Sequence, residues 1–297
     1  MSKEIIEITT NFSSTTTLTN NYDYVINGEI HVLEGVTLNI EFNTVIMIRN
    51  GIYQNSSTKR SALIFDTGST LYASDFYLTA CNSNNISVPI SNNGGIWFCG
   101  SASYVIKDGI SSKYNALASS FNANNIFTYY LGSKDLVENN IPKSNNSDFE
   151  PSQDQDAITI LGCANSEFKI LGLNVEYSGD NSIDVVESNI TVNDIYVLHP
   201  GEDAINIQSG QLEVINNLRL YVYLTNVYDR DIFDFETDNG FSYLRIAENC
   251  YVDMVGIFGD ELNLVSNDLP QPNGDNIYYY KGITTRGISY IWTRTSD

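Results

Sequence analysis

The sequence predicts an all-β solenoid in which parallel strands stack coil upon coil. Three observations carry this prediction. A five-residue unit recurs five times after residue 150, apolar and polar residues alternate within each unit, and the spacing between units is too short for a crossover helix. The units read DAITI, NSIDV, DAINI, DIFDF and DELNL, and they begin at residues 156, 181, 203, 231 and 260. Repeated strands joined by short all-β connections bury one continuous core.

Each unit is predicted to be a strand with one buried face. Its third and fifth residues are large and apolar, and the residue between them is polar. Period-two alternation of this kind is typical of a strand that buries one face. We expect the third residues to form a single inward ladder on parallel strands, made of Ile158, Ile183, Ile205, Phe233 and Leu262.

The chain is predicted to fall into four segments. In the first of them the pattern L-x-x-G-x-T-L occurs twice and places Gly35 and Gly68 in turns. The second is polar and has no periodicity, which indicates a surface excursion or a boundary between two half-solenoids. The segments are 1–136 (less regular coils), 137–155 (the excursion or boundary), 156–275 (regular coils) and 276–297 (an aromatic cap or interface tail).

The aromatic tail has two interpretations. A solenoid end exposes unpaired strand edges and open core, so a covering segment or a partner chain is expected there. The tyrosines of NIYYYKGITTRGISYIWTRTSD, together with Trp292, fit such a cap or an interface between chains. The alternative is a sugar-stacking patch.

Charge and composition exclude several partners. The chain has 36 acidic and 15 basic residues, which gives a net charge of −21. Such a charge repels nucleic acids and anionic lipids. We find neither a secretory signal nor an apolar run that could span a bilayer, so no membrane insertion is predicted. The compartment stays open, with the extracellular space or a virion surface reached by another route among the alternatives.

The cysteines do not predict a metal site or a disulfide framework. Their spacing lacks any C-x-x-C pair. Their apolar, strand-like surroundings predict buried, reduced thiols. The four are Cys81, Cys99, Cys163 and Cys250.

Residues 178–210, SGDNSIDVVESNITVNDIYVLHPGEDAINIQSG, carry a resemblance to a known family. The chain resembles the right-handed parallel β-helices of the pectin-lyase-like superfamily, and this segment is similar to the polygalacturonases, which hydrolyse galacturonan with inversion. In that family an N-T-D triplet is followed one coil later by G-D-D, then by G-H-G and R-I-K. The resemblance implies a right-handed β-helix and makes Glu202 and Asp203 the candidate catalytic pair.

The family's constellation is degenerate in this chain. Asn181 stands where the triplet has its aspartate, and Asp231 stands where the family has histidine. Asn263 and Val265 fall near the family's arginine and lysine. An inverting hydrolase needs two carboxyl groups about 6.5–9.5 Å apart with water between them. We therefore expect no turnover of polygalacturonate.

The same acidic residues have two other interpretations. Asp and Asn just before a strand accept hydrogen bonds from nearby backbone N–H groups, so these residues fit turn caps. Carboxylates stacked at a coil spacing of about 4.8 Å also fit a calcium site, with Asp203 and Asp231 as the candidate ligands. No other cofactor is predicted.

Two function classes remain. The first is a non-enzymatic structural, assembly or adhesion protein of a surface, a fibre or a virion, which associates with itself or with other structural proteins. The second is a polysaccharide-active hydrolase or lyase with an altered site. Carbohydrate is an alternative partner in both classes. Arg219 and Arg230 are the basic residues near the acidic column.

Overall fold

The computed structural model describes residues 3–51, 60–101, 117–133, 156–223, 230–237, 240–286 and 289–293. Within these ranges the protein is all-β, with 23 strands in a sixteen-stranded and a seven-stranded sheet. Most strand pairs are parallel, and the antiparallel pairs of named strands all involve the last three strands. The predicted excursion at 137–155 lies outside the described residues. No described segment is a helix long and apolar enough to cross a membrane.

The parallel strands form three rows, and successive stretches of chain add strands to each row in turn. Row one contains β1 (Glu4–Ile8), β3 (Tyr22–Ile26), β6 (Thr44–Arg49), β9 (Asp75–Cys81), β11 (Ser120–Tyr129), β13 (Phe168–Glu176), β15 (Asn189–Leu198), β17 (Gln211–Tyr221) and β20 (Tyr251–Gly256). Row two, the seven-stranded sheet, contains β4 (Glu29–Val32), β7 (Ala62–Phe65), β10 (Ile96–Cys99), β12 (Ile158–Leu161), β14 (Ile183–Val186), β16 (Ile205–Gln208) and β18 (Phe233–Glu236).

Row three shares the sixteen-stranded sheet with row one, because the long strands β11, β13, β15 and β17 contribute their first halves to it. Its separate strands are β2 (Thr16–Leu18), β5 (Thr37–Ile40), β8 (Thr70–Ala73) and β19 (Tyr243–Ile246). The last three strands are β21 (Leu262–Val265), β22 (Tyr278–Ile283) and β23 (Ser289–Thr293). Chain direction reverses there, since β22 runs antiparallel to β20 and β23 runs antiparallel to β19 and β21.

The inward ladder of row two confirms four of the five predicted units. Ile158, Ile183, Ile205 and Phe233 are in register on neighbouring parallel strands and fully buried. Leu63 and Ile96 extend the same ladder toward the amino terminus. The intervening polar residues are also in register and point to the opposite face, as the two-residue period of a strand requires. They are Thr159, Asp184, Asn206 and Asp234.

The prediction for the fifth unit is wrong. Leu262 lies in β21, which pairs antiparallel with β23 in the other sheet. The turn before it includes Gly259, whose φ of +123° favours glycine and whose Cβ would lie 2.1 Å from the carbonyl oxygen of Phe233. The alternating pattern identified a strand correctly, but alternation alone does not select the partner strand.

The turn prediction for the two amino-terminal glycines is confirmed. Gly35 and Gly68 have φ values of +78° and +80°, and the Gly35 N–H donates to the Gly68 carbonyl at 3.0 Å. The strands that follow, β5 and β8, then pair in register. Stacked turns of one conformation therefore fix the register of row three in the first third of the chain.

The core is most densely aromatic around Phe98. Its ring centroid lies 5.4 Å from that of Phe65, 5.2 Å from Phe121 and 5.6 Å from Phe168. All four side chains are essentially inaccessible to solvent. Rings at such offsets and tilts gain more than their buried area alone provides.

Row two is also apolar on part of its outer face, where alternation predicts polar residues. Buried side chains there form a second cluster with Trp97, whose indole N–H donates to the Gly94 carbonyl at 3.1 Å. The cluster consists of Ala62, Ile64, Trp97, Cys99, Leu161 and Val186. The prediction of reduced, buried thiols is confirmed, since all four cysteines are free and buried. Burial raises the pKa of Cys99 to about 12.

Candidate functional site

The candidate acid pair lies in the turn that leads into β16. The Asn181 side-chain oxygen accepts a hydrogen bond from the Asp203 N–H at 3.1 Å. One coil further on, the Asp203 Oδ1 atom accepts from the Asp231 N–H at 2.7 Å. Asn181, Asp203 and Asp231 thus form a column, defined here as the polar column, in which the side chains of Asn181 and Asp203 bind the backbone that precedes the next row-two strand.

These bonds differ in one respect from the expected turn caps. A capping side chain in an isolated turn bonds backbone a few residues away, whereas Asn181 and Asp203 reach residues 22 and 28 positions later. The acceptors therefore join the segments that precede successive row-two strands instead of stabilising one turn. The amide of Asn181 and the carboxylate of Asp203 do this in the same way.

Asp203 is buried, and its surroundings disfavour its charge. Burial raises the pKa of its carboxyl well above the usual range, and the hydrogen bond from the Asp231 N–H opposes that shift. The nearby carboxylates of Asp234 and Glu202 raise the pKa further. This group is held mostly inside the protein, where its oxygen already has a backbone partner.

The turns beside the polar column are in very close contact. A Cβ atom at Gly201 would lie 2.0 Å from the Gly179 carbonyl oxygen, so only glycine fits there. The Ser178 hydroxyl oxygen accepts from the Gly201 N–H at 3.1 Å and donates to the Asp180 carbonyl at 2.8 Å. The glycine before Glu202 is needed for this stacking.

A cleft of about 350 Å³ opens next to these turns. One wall consists of the stacked rings of Tyr130, Tyr177 and His199, whose successive centroids are 5.0 and 4.9 Å apart. The ring of Tyr223 lies 5.0 Å beyond His199 and is tilted by 43° relative to it. Arg230 also lines the cleft, and its Nε–H donates to the Gly201 carbonyl at 2.7 Å. Among the described residues that line it, none is a carboxylate.

Sequence reasoning missed this ring stack. Tyr130, Tyr177 and His199 each follow the end of a row-one strand and have φ between +54° and +60°. The left-handed conformation is uncommon at non-glycine residues. Here it recurs at the residue that directly follows each of three neighbouring row-one strands. The signal in the sequence was an aromatic residue directly after three consecutive strands, at 130, 177 and 199.

The calcium hypothesis gains no ligand cluster from the described part of the chain. There, no group of three or more His, Cys, Asp or Glu side chains is placed to hold a metal ion. The Oδ1 atom of Asp203 faces a backbone N–H instead. The acidic segment YDRDIFDFETD at 228–238 contains two further aspartates, Asp229 and Asp238, which lie outside the described residues.

The other predicted residues are dispersed. Arg219 lies over the ring of Tyr251 on row one, 5.1 Å from its centroid. In the tail, Tyr278 is buried against Phe258 at 5.0 Å, whereas Tyr279 is 63% exposed. These positions do not converge with the polar column on one site.

No protein-family model, no curated protein and no solved structure matches this chain. The resemblance over residues 178–210 therefore rests on its motifs and rung pattern. The general architecture that this resemblance implies, an all-β chain with parallel strands in its sheets, agrees with the described structure.

A separate ionisable cluster surrounds His31 on row two. Its Nδ1 atom lies 2.7 Å from the Asp66 carboxylate and its Nε2 atom 3.2 Å from that of Glu29. Burial lowers the pKa of His31, but the hydrogen bonds to Asp66 and Glu29 outweigh burial and raise it to about 9. The imidazolium is therefore the form that stabilises the folded chain.

We expect this cluster to make stability depend on pH above neutrality. The unfolded histidine has a pKa near 6.5, so the stabilisation is complete below that pH and is lost as the pH rises through about 9. Thermal melting of wild-type protein and of Asp66→Asn across this range tests it. The variant should lose less stability between pH 6.5 and 9 than the wild type, and parallel profiles would contradict the prediction.

Proposed function

We propose that this chain is a non-enzymatic, right-handed parallel β-helix that serves as a structural, assembly or adhesion protein. The observation that carries the proposal is the polar column: the oxygens of Asn181 and Asp203 are hydrogen-bonded to the backbone of the following coil. Side chains that join coils are needed for the fold. This structural role accounts for acidic residues at that position without a catalytic function.

The three rows of strands support the β-helix part of the proposal. Among the described residues, each inner strand of row two pairs in parallel with the row-two strands before and after it in the chain, and the end strands β4 and β18 each pair with one. The return of the chain to each of three rows in turn supports a solenoid. The handedness follows from the strong preference of parallel crossover connections for the right-handed form.

We also propose that residues 276–297 cap the last coil. In the described part of this tail, Tyr278 and Ile291 are buried in the main core cluster. The reversal of strand direction at β22 and β23 ends the parallel rows at this point. A cap of this kind covers the open core that a stack of coils would otherwise expose.

The geometry of the cleft argues against hydrolysis. Inversion requires two carboxyl groups on opposite sides of the scissile bond, and the described residues lining the cleft include no carboxylate. Asp203 is buried beside it, and Asn181 cannot take a proton from water. The hydrolase or lyase alternative would rely on Glu202 and Asp203 and, for a lyase, on Arg230 as the base.

Incubation with polygalacturonate tests the proposal. We expect purified protein to release neither reducing ends nor unsaturated product, because the constellation lacks a second active carboxyl group. The assay needs Glu202→Gln as the matched variant, since it keeps side-chain size and removes the charge. Turnover by the wild type that Glu202→Gln abolishes would establish an enzyme and overturn the proposed function.

A further inference from the structure

Among the described residues, the sixteen-stranded sheet has an unpaired strand edge at β1 and another at β22. β1 pairs with β3 on one side, and β22 pairs with β20 on one side. Within the described residues, no strand pairs with the opposite side of either β1 or β22. Unpaired edges of this kind are templates for pairing with another chain.

The backbone of β1 presents two residues on its free edge. The Ile8 carbonyl accepts from the Asn27 N–H at 3.0 Å, so the backbone N–H and C=O groups of Ile8 point toward β3. Successive residues of a strand direct their N–H and C=O groups to opposite sides. Ile5 and Glu7 therefore direct their backbone groups away from the sheet.

The same alternation identifies the free edge of β22. The Thr284 N–H donates to the Cys250 carbonyl at 3.0 Å, so residue 284 faces the preceding coil. Tyr279, Lys281 and Ile283 then direct their N–H and C=O groups outward. Five residues of each strand can meet without disturbing the pairing inside either subunit.

Apolar side chains accompany both edges. Ile6 is 37% exposed, although its in-register neighbour Tyr24 is only 4% exposed. At the opposite end, Tyr279 is 63% and Ile283 is 55% exposed. An inward-directed isoleucine that remains accessible indicates an end of the core that another chain can cover.

We propose that the β22 edge of one copy pairs with the β1 edge of a second copy, so that row one continues from subunit to subunit. β1 runs in the direction of row one and β22 runs against it. End-on stacking therefore brings the two edges together as an antiparallel pair. An interface between two different edges is head-to-tail, and end-on stacking along row one makes the assembly an open filament instead of a ring.

The charge distribution favours this partner. Residues 276–297 contain three basic residues and one acidic residue in a chain of net charge −21, whereas β1 contains two glutamates and no base. Lys281 is bound to Asp253 and Glu7 to Arg49, yet their side chains remain 55% and 37% exposed. Opposite signs at the two ends steer a head-to-tail encounter, and salt shortens the reach of the overall repulsion to about 8 Å.

Proline substitutions at the outward positions test the pairing. Ile5→Pro and Tyr279→Pro each remove one outward N–H and no internal one, and proline is tolerated on edge strands. In sedimentation at about 0.15 M ionic strength, wild-type protein should form concentration-dependent, open-ended oligomers. Each variant alone should stay monomeric, and far-ultraviolet circular dichroism verifies that it is folded. Tyr279→Ser, which keeps the N–H, should still associate.

An equimolar mixture of the two proline variants, measured by the same sedimentation, is the decisive test. The Ile5→Pro subunit keeps an intact β22 and the Tyr279→Pro subunit keeps an intact β1, so an equimolar mixture should form dimers and nothing larger. A mixture that stays monomeric, or a single variant that assembles like the wild type, would overturn the pairing. Wild-type protein that is monomeric at every concentration would do the same without any variant.

This inference rests on the proposed structural function, but the two can fail separately. If the protein is monomeric and inert on polygalacturonate, the end-to-end pairing is wrong and the proposed structural or adhesive function stands. Release of reducing ends would remove the structural function whatever the mass of the protein.

Discussion

Phe98→Ala is expected to lower the free energy of unfolding by about 3–5 kcal/mol. The ring is fully buried and contacts the rings of Phe65, Phe121 and Phe168. These neighbours come from row two and from row three, which belong to different sheets, so the cavity cannot collapse without moving strands of both sheets. The loss of stability therefore has two parts, which are the free energy of transferring the ring from water into the core and the cost of the cavity that its removal leaves.

Urea denaturation followed by circular dichroism measures this loss. Phe42→Ala is the matched control, because Phe42 is 52% exposed and the same atoms are removed. The control should change the free energy of unfolding by about 0.5 kcal/mol or less. Equal losses in the two variants would show that Phe98 does not lie in a packed core.

Asp203→Ala is expected to destabilise the protein by about 1–3 kcal/mol, because the Asp231 N–H loses its acceptor. The corresponding Asp at the start of the fifth unit, Asp260, is exposed. Asp260→Ala is therefore the matched control and should be near neutral. Denaturation of both variants under one set of conditions makes the comparison, and an unaffected Asp203→Ala would show that the column is not structural.

The raised pKa of Asp203 adds a pH dependence with a definite sign. Because the folded pKa lies above the unfolded value near 3.8, the contribution of this group is fully present below that value. It is lost as the pH rises through the folded pKa. At neutral pH the raised pKa therefore opposes folding, because the unfolded carboxyl is ionised there, while the hydrogen bond from the Asp231 N–H favours folding.

Most of the fold could be predicted because its ladders repeat in the sequence. Ile158, Ile183, Ile205 and Phe233 occupy one position of one repeated unit, and in-register parallel pairing places identical positions side by side. Leu262 followed the same pattern and lies elsewhere, since the turn at Gly259 and the antiparallel strand β23 direct it into the other sheet. A terminal coil has no following coil to impose the register.

The site was harder to predict because its contacts join coils. That Asn181 and Asp203 are interchangeable acceptors followed from their chemistry, but their partners lie one coil away and depend on register. The stack of Tyr130, Tyr177 and His199 depends on a backbone conformation that side-chain type alone does not indicate. The outer cluster around Trp97 likewise needs tertiary burial that alternation does not reveal.

The free energy of unfolding of Asp203→Asn at neutral pH tests most directly whether the acidic pair is part of the scaffold. Asparagine keeps the oxygen that accepts from the Asp231 N–H and removes the ionisable carboxyl group, and Asn181 already accepts from the Asp203 N–H in this way. We predict that this variant is at least as stable as the wild type and that its stability falls less as the pH rises from acid to neutral. A loss as large as that of Asp203→Ala would contradict the account, because the carboxylate itself would then be required.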